Sequence, residues 1–138
     1  MSFQINCRRI VGGSGSGKAL VTKQPINFLA MIDTKRYIIK DRNHELCGKS
    51  MKDTILVFPH AIGSSVGAYV IYSLKVNGVA PRAVICSNKV DIITASGCAI
   101  SNIPLVDMSE KESSSSDIIT GLEIIVDADN KKIIIQTV

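Results

Sequence analysis

Two adjacent serines, Ser64 and Ser65, stand where a strand-forming run gives way to a helix-forming one in TILVFPHAIGSSVGAYV (54–70). Pro59 and Gly63 shape the turn before them, and Val66 and Gly67 follow. If a helix starts here, its first amides, at 65–67, and the positive end of its dipole favour a carboxylate, a phosphate or a serine alkoxide. Such a place suits proton transfer by a serine, or anion binding by Gly63, Ser65, Val66 and Gly67. The commoner role of a serine at a helix start is to cap it, and the turn alone leaves both readings open.

A second stretch with chemical potential is GGSGSGK (12–18), where Gly12, Gly17 and Lys18 match the spacing of a phosphate-binding loop. Ala19 then stands where such a loop needs a hydroxyl for magnesium, and Val21, Thr22 and Pro25 speak against the helix that must follow. The stretch reads as a flexible glycine turn between two strands. The four cysteines, at 7, 47, 86 and 98, form no CxxC pair and have no histidine at metal-ligand spacing, so no metal site is expected within the chain. They read as reduced thiols, with Cys86 in AVIC a small core residue. His44 and His60 are the two histidines. His60 lies close enough to the serines to support them, although turn histidines are often only solvated.

The elements that must position these residues are short. Strand patterns occur at 3–11, 18–22, 36–40, 54–58, 82–86, 122–129 and 131–138, rich in β-branched residues and punctuated by Gly, Pro, Asn and Asp. The last two flank a turn at 128–130 and read as a hairpin. One clear helix runs through SSVGAYVIYSLKVNG (64–78), with Val66, Tyr69, Val70 and Leu74 along one face and Asn77-Gly78 as its stop. A shorter helical turn is expected in DIITASGCAIS (91–101), and MSEKESSSSD (108–117) reads as a polar loop. The whole is a β-rich α/β chain of 138 residues, 46% hydrophobic, with one domain expected over 1–138. Its net charge of +4 is scattered, and three Phe, three Tyr and no Trp offer little for base stacking, so no nucleic-acid partner is expected. No apolar run approaches the roughly 18 residues of a membrane span, and MSFQINCRRI lacks the apolar core of a signal peptide. A cytoplasmic location with no membrane partner is the expectation.

Along nearly its whole length the chain resembles the small subunit, or swivelling domain, of the aconitase X family. The matching passages are GSGSGKALVTKQPINFLAMID (13–33), DRNHELCGKSMKDTILVFPHAIGSSVGAYV (41–70), NGVAPRAVICSN (77–88) and SGCAISNIPLVD (96–107), and GSSVG is the most specific of them. Ala30-Met31 stand where the family usually carries two glycines, and Ala68 where serine is frequent.

The resemblance implies a layered swivelling β/β/α domain of the aconitase type. It implies that Ser64 is the proton acceptor of a dehydration, with Ser65 the runner-up and the helix cap. Archaeal two-subunit members dehydrate (R)-5-phosphomevalonate to trans-anhydromevalonate 5-phosphate on a modified mevalonate route to isoprenoids, and bacterial relatives dehydrate hydroxyproline. A large catalytic subunit would carry a 4Fe-4S iron–sulfur cluster and most of the pocket for a small phosphorylated hydroxy acid, so this chain alone would be inactive. Ser14, Ser16, Asp33, His44 and His60 fall in or beside matched passages and become candidates for the rim of the site or the subunit interface, together with the face that carries 12–17. A dehydratase of the same family for another hydroxy acid, or a non-catalytic module in which GSS binds an anion, are the alternatives.

Overall fold

The computed structural model describes residues 2–108 and 118–136. The chain opens with β1 (Ser2–Asn6), β2 (Arg8–Val11) and β3 (Ser14–Val21), then a short α1 (Phe28–Met31) and a small hairpin of β4 (Ile32–Asp33) and β5 (Ile38–Ile39). A βαβαβ passage follows: β6 (Ile55–Phe58), α2 (Gly67–Val76), β7 (Ala83–Cys86), α3 (Ile92–Ser101) and β8 (Leu105–Asp107). The hairpin of β9 (Glu123–Asp127) and β10 (Lys132–Gln136) ends the order.

The main sheet runs β1-β10-β9-β3-β6-β7-β8-β2. Its two outer strands are neighbours in sequence, separated by Cys7 alone, so one stretch of chain joins both ends of the sheet. The single strand expected over 3–11 is therefore two, one pairing with β10 and the other with β8. Arg8 fastens the second of these with a two-pronged ion pair to the fully buried Asp107, at 2.8 Å (Nε) and 2.6 Å (Nη2).

Three layers result, as the β/β/α expectation requires. β6, β7 and β8 lie parallel and are buried on both faces, which explains their unbroken apolar runs. Ile55, Val57, Ala83, Ile85 and Val106 face the hairpin layer, where they meet Ile124, Val126, Ile133 and Ile135. Leu56, Phe58, Val84, Cys86 and Leu105 face the helices. Each large side chain so buried contributes roughly 1.5–3 kcal/mol. The helix expected over 64–78 is present, but its buried face is Gly67, Ala68, Val70, Ile71 and Leu74, while Val66 and Tyr69 are exposed. α3 is a full ten-residue helix rather than a turn, because Asp91 caps it and its small residues let it pack closely on α2, Gly97 against Ile71. Of the expected polar loop, residues 109–117 lie outside the described residues, as do the last two of the final strand.

The glycine stretch is not a turn. Ser14–Val21 is one strand, antiparallel to β9 and parallel to β6. A Cβ on Gly15 would stand 2.5 Å from the Arg82 carbonyl oxygen, and one on Gly17 would stand 2.5 Å from that of Asp53. The glycines are there because the loops entering β7 and β6 cross against this strand, while Ser14, Ser16 and Lys18 point outward and are exposed. Gly15→Ala should therefore destabilise the chain by about 1–3 kcal/mol, the usual range for overpacking, whereas Ser16→Ala should stay within about 0.5 kcal/mol of the parent. Thermal melts of the two variants check this, and an unchanged Tm for Gly15→Ala would remove the explanation.

Candidate functional site

The parallel strands β3, β6, β7 and β8 all run toward the same edge, and the starts of α1, α2 and α3 gather along it. This is the crevice at strand C-termini where open α/β sheets place ligands. The turn 59–66 leaves β6 there. Its first part still behaves as a strand: Ile26 N–H donates to the His60 carbonyl at 3.3 Å, and Ile62 N–H donates to the Ile26 carbonyl at 3.0 Å. Gly63 then turns the chain with φ +91°, pressed against the Asn27 side chain that caps α1.

Ser64 opens the turn that leads into α2. Its Oγ accepts from Val66 N–H at 3.1 Å, and its carbonyl accepts from Gly67 N–H at 2.9 Å. Ala68 N–H donates to the Ser65 carbonyl at 3.1 Å, so the first turn is tightened in the 3₁₀ manner. Ser65, expected as the helix cap, is exposed and caps nothing: α2 begins at Gly67 behind Val66 without a side-chain cap bond, and Ser64 Oγ closes only the turn that leads into it. The N–H groups of Val66 and Gly67 are taken up within the turn, which leaves those of Gly63, Ser64 and Ser65 without a partner among the described residues. Gly67 serves packing, since a Cβ there would sit 3.3 Å from Ile93 and 3.4 Å from Phe28.

The remaining candidates separate. Ser14 and Ser16 lie at the opposite end of the sheet, beside the loops that enter β6 and β7. The four residues of β6 alone put roughly 13 Å between the two ends at about 3.3 Å per residue. They cannot border the Ser64 turn, and 12–17 and 60–67 do not share a face. His44 is buried, with Leu46 N–H donating to Nδ1 at 3.0 Å and Nε2 held 3.1 Å from the Pro25 carbonyl. A buried ring with both nitrogens engaged pins the 22–26 segment and offers nothing to an interface. Glu45 helps it, taking the Thr22 hydroxyl and Lys23 N–H, and these bonds hold its carboxyl below the ordinary range. Asp33 is a turn former: its Oδ1 accepts from the Lys35 and Arg36 amides, which lower its pKa. His60 lies on the turn itself, bound through its carbonyl to Ile26.

Two residues unremarked in the sequence hold the turn. Asn27 stands behind Gly63, and Asp91 Oδ1 accepts from Ala61 N–H at 2.8 Å. The signal for the second was an acidic residue directly before the helical pattern of 92–101, the usual mark of a cap.

No three His, Cys, Asp or Glu residues come together to hold a metal among the described residues. Cys7 is buried on one side of the sheet and Cys86 and Cys98 on the other, and burial raises their thiols to about 11 (Cys7), well above the ordinary value (Cys86) and to about 12 (Cys98). Such thiols do not fit an iron–sulfur cluster, which needs converging thiolates. Around Ser64, Leu29, Ile62, Val66, Tyr69 and Ile92 are exposed apolar residues on the elements that meet at the turn.

Residues 4–135 match the model of the aconitase X swivel domain. The chain belongs to the aconitase X swivel domain family. A phosphomevalonate dehydratase small subunit of Methanosarcina acetivorans is 48% identical over 79% of this chain and 75% of its own length. That of Thermococcus sibiricus is 40% identical over 97% and 99%. The crystal structure of Thermococcus kodakaraensis aconitase X in its holo-form superposes with a TM-score of 0.88 at 39% identity, covering 97% of this chain and 98% of that one. The swivel domain thus accounts for the layered fold, and the GSS turn is its exposed corner.

Proposed function

We propose that this chain is the small subunit of a hydro-lyase that dehydrates (R)-5-phosphomevalonate to trans-anhydromevalonate 5-phosphate, with Ser64 as the proton acceptor and residues 1–138 acting as one swivelling domain. The observation that carries the reading is the Val66 N–H aimed at Ser64 Oγ on an exposed turn at the start of α2. A donor on that oxygen, at the positive end of a ten-residue helix, favours alkoxide over hydroxyl. The relatives' names supply the substrate.

In the reaction, Ser64 alkoxide takes a proton from C2 of the hydroxy acid. The electron pair of that C–H bond becomes the C2–C3 double bond, and the C3 hydroxyl leaves. Ser64 and Ser65 amides suit a carboxylate or phosphate oxygen of the substrate. The iron–sulfur cluster that the family implies belongs to the large subunit in this reading, as a Lewis acid for the departing hydroxyl. Leu29, Ile62, Val66, Tyr69 and Ile92 form the apolar rim by which the domain docks on that subunit, in the cytoplasm.

The test is reconstitution with a large subunit. Turnover of phosphomevalonate, absent from either chain alone and not seen with hydroxyproline, is the expected result. In parallel, amide exchange at 60–67 should slow on complex formation while that at 12–17 stays as it was. Turnover of hydroxyproline instead would reassign the substrate, and unchanged protection at 60–67 would remove the docking face.

A further inference from the structure

Ala61 sits in a segment whose peptide groups alternate sides as in a strand. His60 carbonyl and Ile62 N–H face Ile26, so Ala61 N–H faces the other way, toward the start of α3. β7 ends at Cys86 beside Phe58, and no strand continues past it to accept that bond. Asp91 does so instead. Its Oδ1 takes Ala61 N–H at 2.8 Å and the hydroxyl of the buried Thr94 at 2.8 Å, while Oδ2 takes Thr94 N–H at 2.8 Å. Capping α3 needs the last of these bonds alone. The bond to Ala61 reaches across to another element and ends three residues before Ser64. Ala61 is buried, so water cannot readily replace the carboxylate there.

We propose that Asp91 is a positioning residue for Ser64. With Ile26 holding one side of 60–62 and Asp91 the other, the turn has one place it can occupy, and the serine is presented from a fixed point. This rests on the assignment of Ser64 as the proton acceptor. Removing the acceptor lets the segment swing on the Ile26 side alone, so the serine leaves its place while the substrate, held mostly by the large subunit in this reading, does not.

The experiment compares Asp91→Ala, Asp91→Asn and Thr94→Val. Asp91→Ala should lower kcat about tenfold in the reconstituted pair with KM changed less than about twofold, and amide exchange at 61–66 in the small subunit should speed up about tenfold. Asp91→Asn, which keeps one acceptor oxygen for two amides and remains a good cap, should fall between it and the parent, and serves if the alanine variant does not fold. Thr94→Val removes a bond from the same carboxylate but leaves the one to Ala61, so kcat and exchange at 61–66 should hold. Loss of turnover in Thr94→Val equal to that of Asp91→Ala overturns the proposal, since α3 and not the tie to Ala61 would then matter. Faster exchange confined to 92–101 in Asp91→Ala overturns it too. Exchange in the small subunit reads Asp91 directly, whereas Ser64→Ala in the same assay reads the assignment on which it rests, so the two failures are distinguishable.

Discussion

Ser64→Ala, reconstituted with a large subunit, is expected to lower turnover by about two to four orders of magnitude, the range for loss of an acid–base group. Binding between subunits should persist, because Leu29, Ile62, Tyr69 and Ile92 are untouched. Stability should also fall by about 0.5–1.5 kcal/mol, since Ser64 Oγ takes the Val66 N–H in the turn that leads into α2. Ser65→Ala has neither consequence to that degree. Its side chain is exposed and caps nothing, so a change within about 0.5 kcal/mol and a modest effect on substrate affinity are expected. Steady-state kinetics and thermal melts of the two variants separate the roles. Turnover kept by Ser64→Ala and lost by Ser65→Ala would transfer the proton to the other serine. If both keep it, this chain does not move the proton.

Gly63→Ala is expected to cost about a hundredfold in turnover, by displacing the serine rather than removing it. Gly63 has φ +91°, where a side chain costs about 1–2 kcal/mol. A Cβ there would also stand 2.4 Å from Asn27 Nδ2 and 2.6 Å from its Cγ, so one side or the other must move. A shift of about 1 Å at a reacting group is enough for a loss of this size. Gly78 provides the control: its φ is +71°, nothing lies within 4 Å of its missing Cβ, and it sits at the far end of α2. Gly78→Ala should therefore lose stability through its φ alone, with turnover unchanged. Asn27→Ala combined with Gly63→Ala should recover part of the lost turnover, because the obstruction is gone. Equal turnover losses in Gly63→Ala and Gly78→Ala would mean that strain in the chain, not collision with Asn27, is responsible.

Several features of this protein are written in short stretches of chain. The buried strand TILVF, the glycine turn and the helix after GSS are set by β-branching, positive φ and capping, all of which act over a few residues. The same local rules made Cys86 a core residue and the 123–136 stretch a hairpin, and the passages around GSSVG were enough to place the family. Helix faces were less legible. Val66 and Tyr69 fit the apolar stripe of α2 by spacing, yet lie exposed, because Gly67, Ala68 and Ile71 are what α3 and Phe28 allow to approach.

What tertiary structure decided is where the local pieces stand relative to one another. GGSGSGK had the composition of a mobile turn, but antiparallel pairing of Ser14–Lys18 with Glu123–Asp127 drew it into a strand, and parallel pairing of the following Ala19–Val21 with Ile55–Val57 set Ser14 and Ser16 at the end of the sheet away from Ser64. Its glycines answer to Arg82 and Asp53, residues far along the chain, through a close approach that no neighbouring residue encodes. The hold of Asn27 and Asp91 on the turn between them has the same origin. Short-range conformational preference can name a turn, a cap and a strand, but a hydrogen bond from Asp91 to Ala61 exists only once two separate strands have been laid side by side.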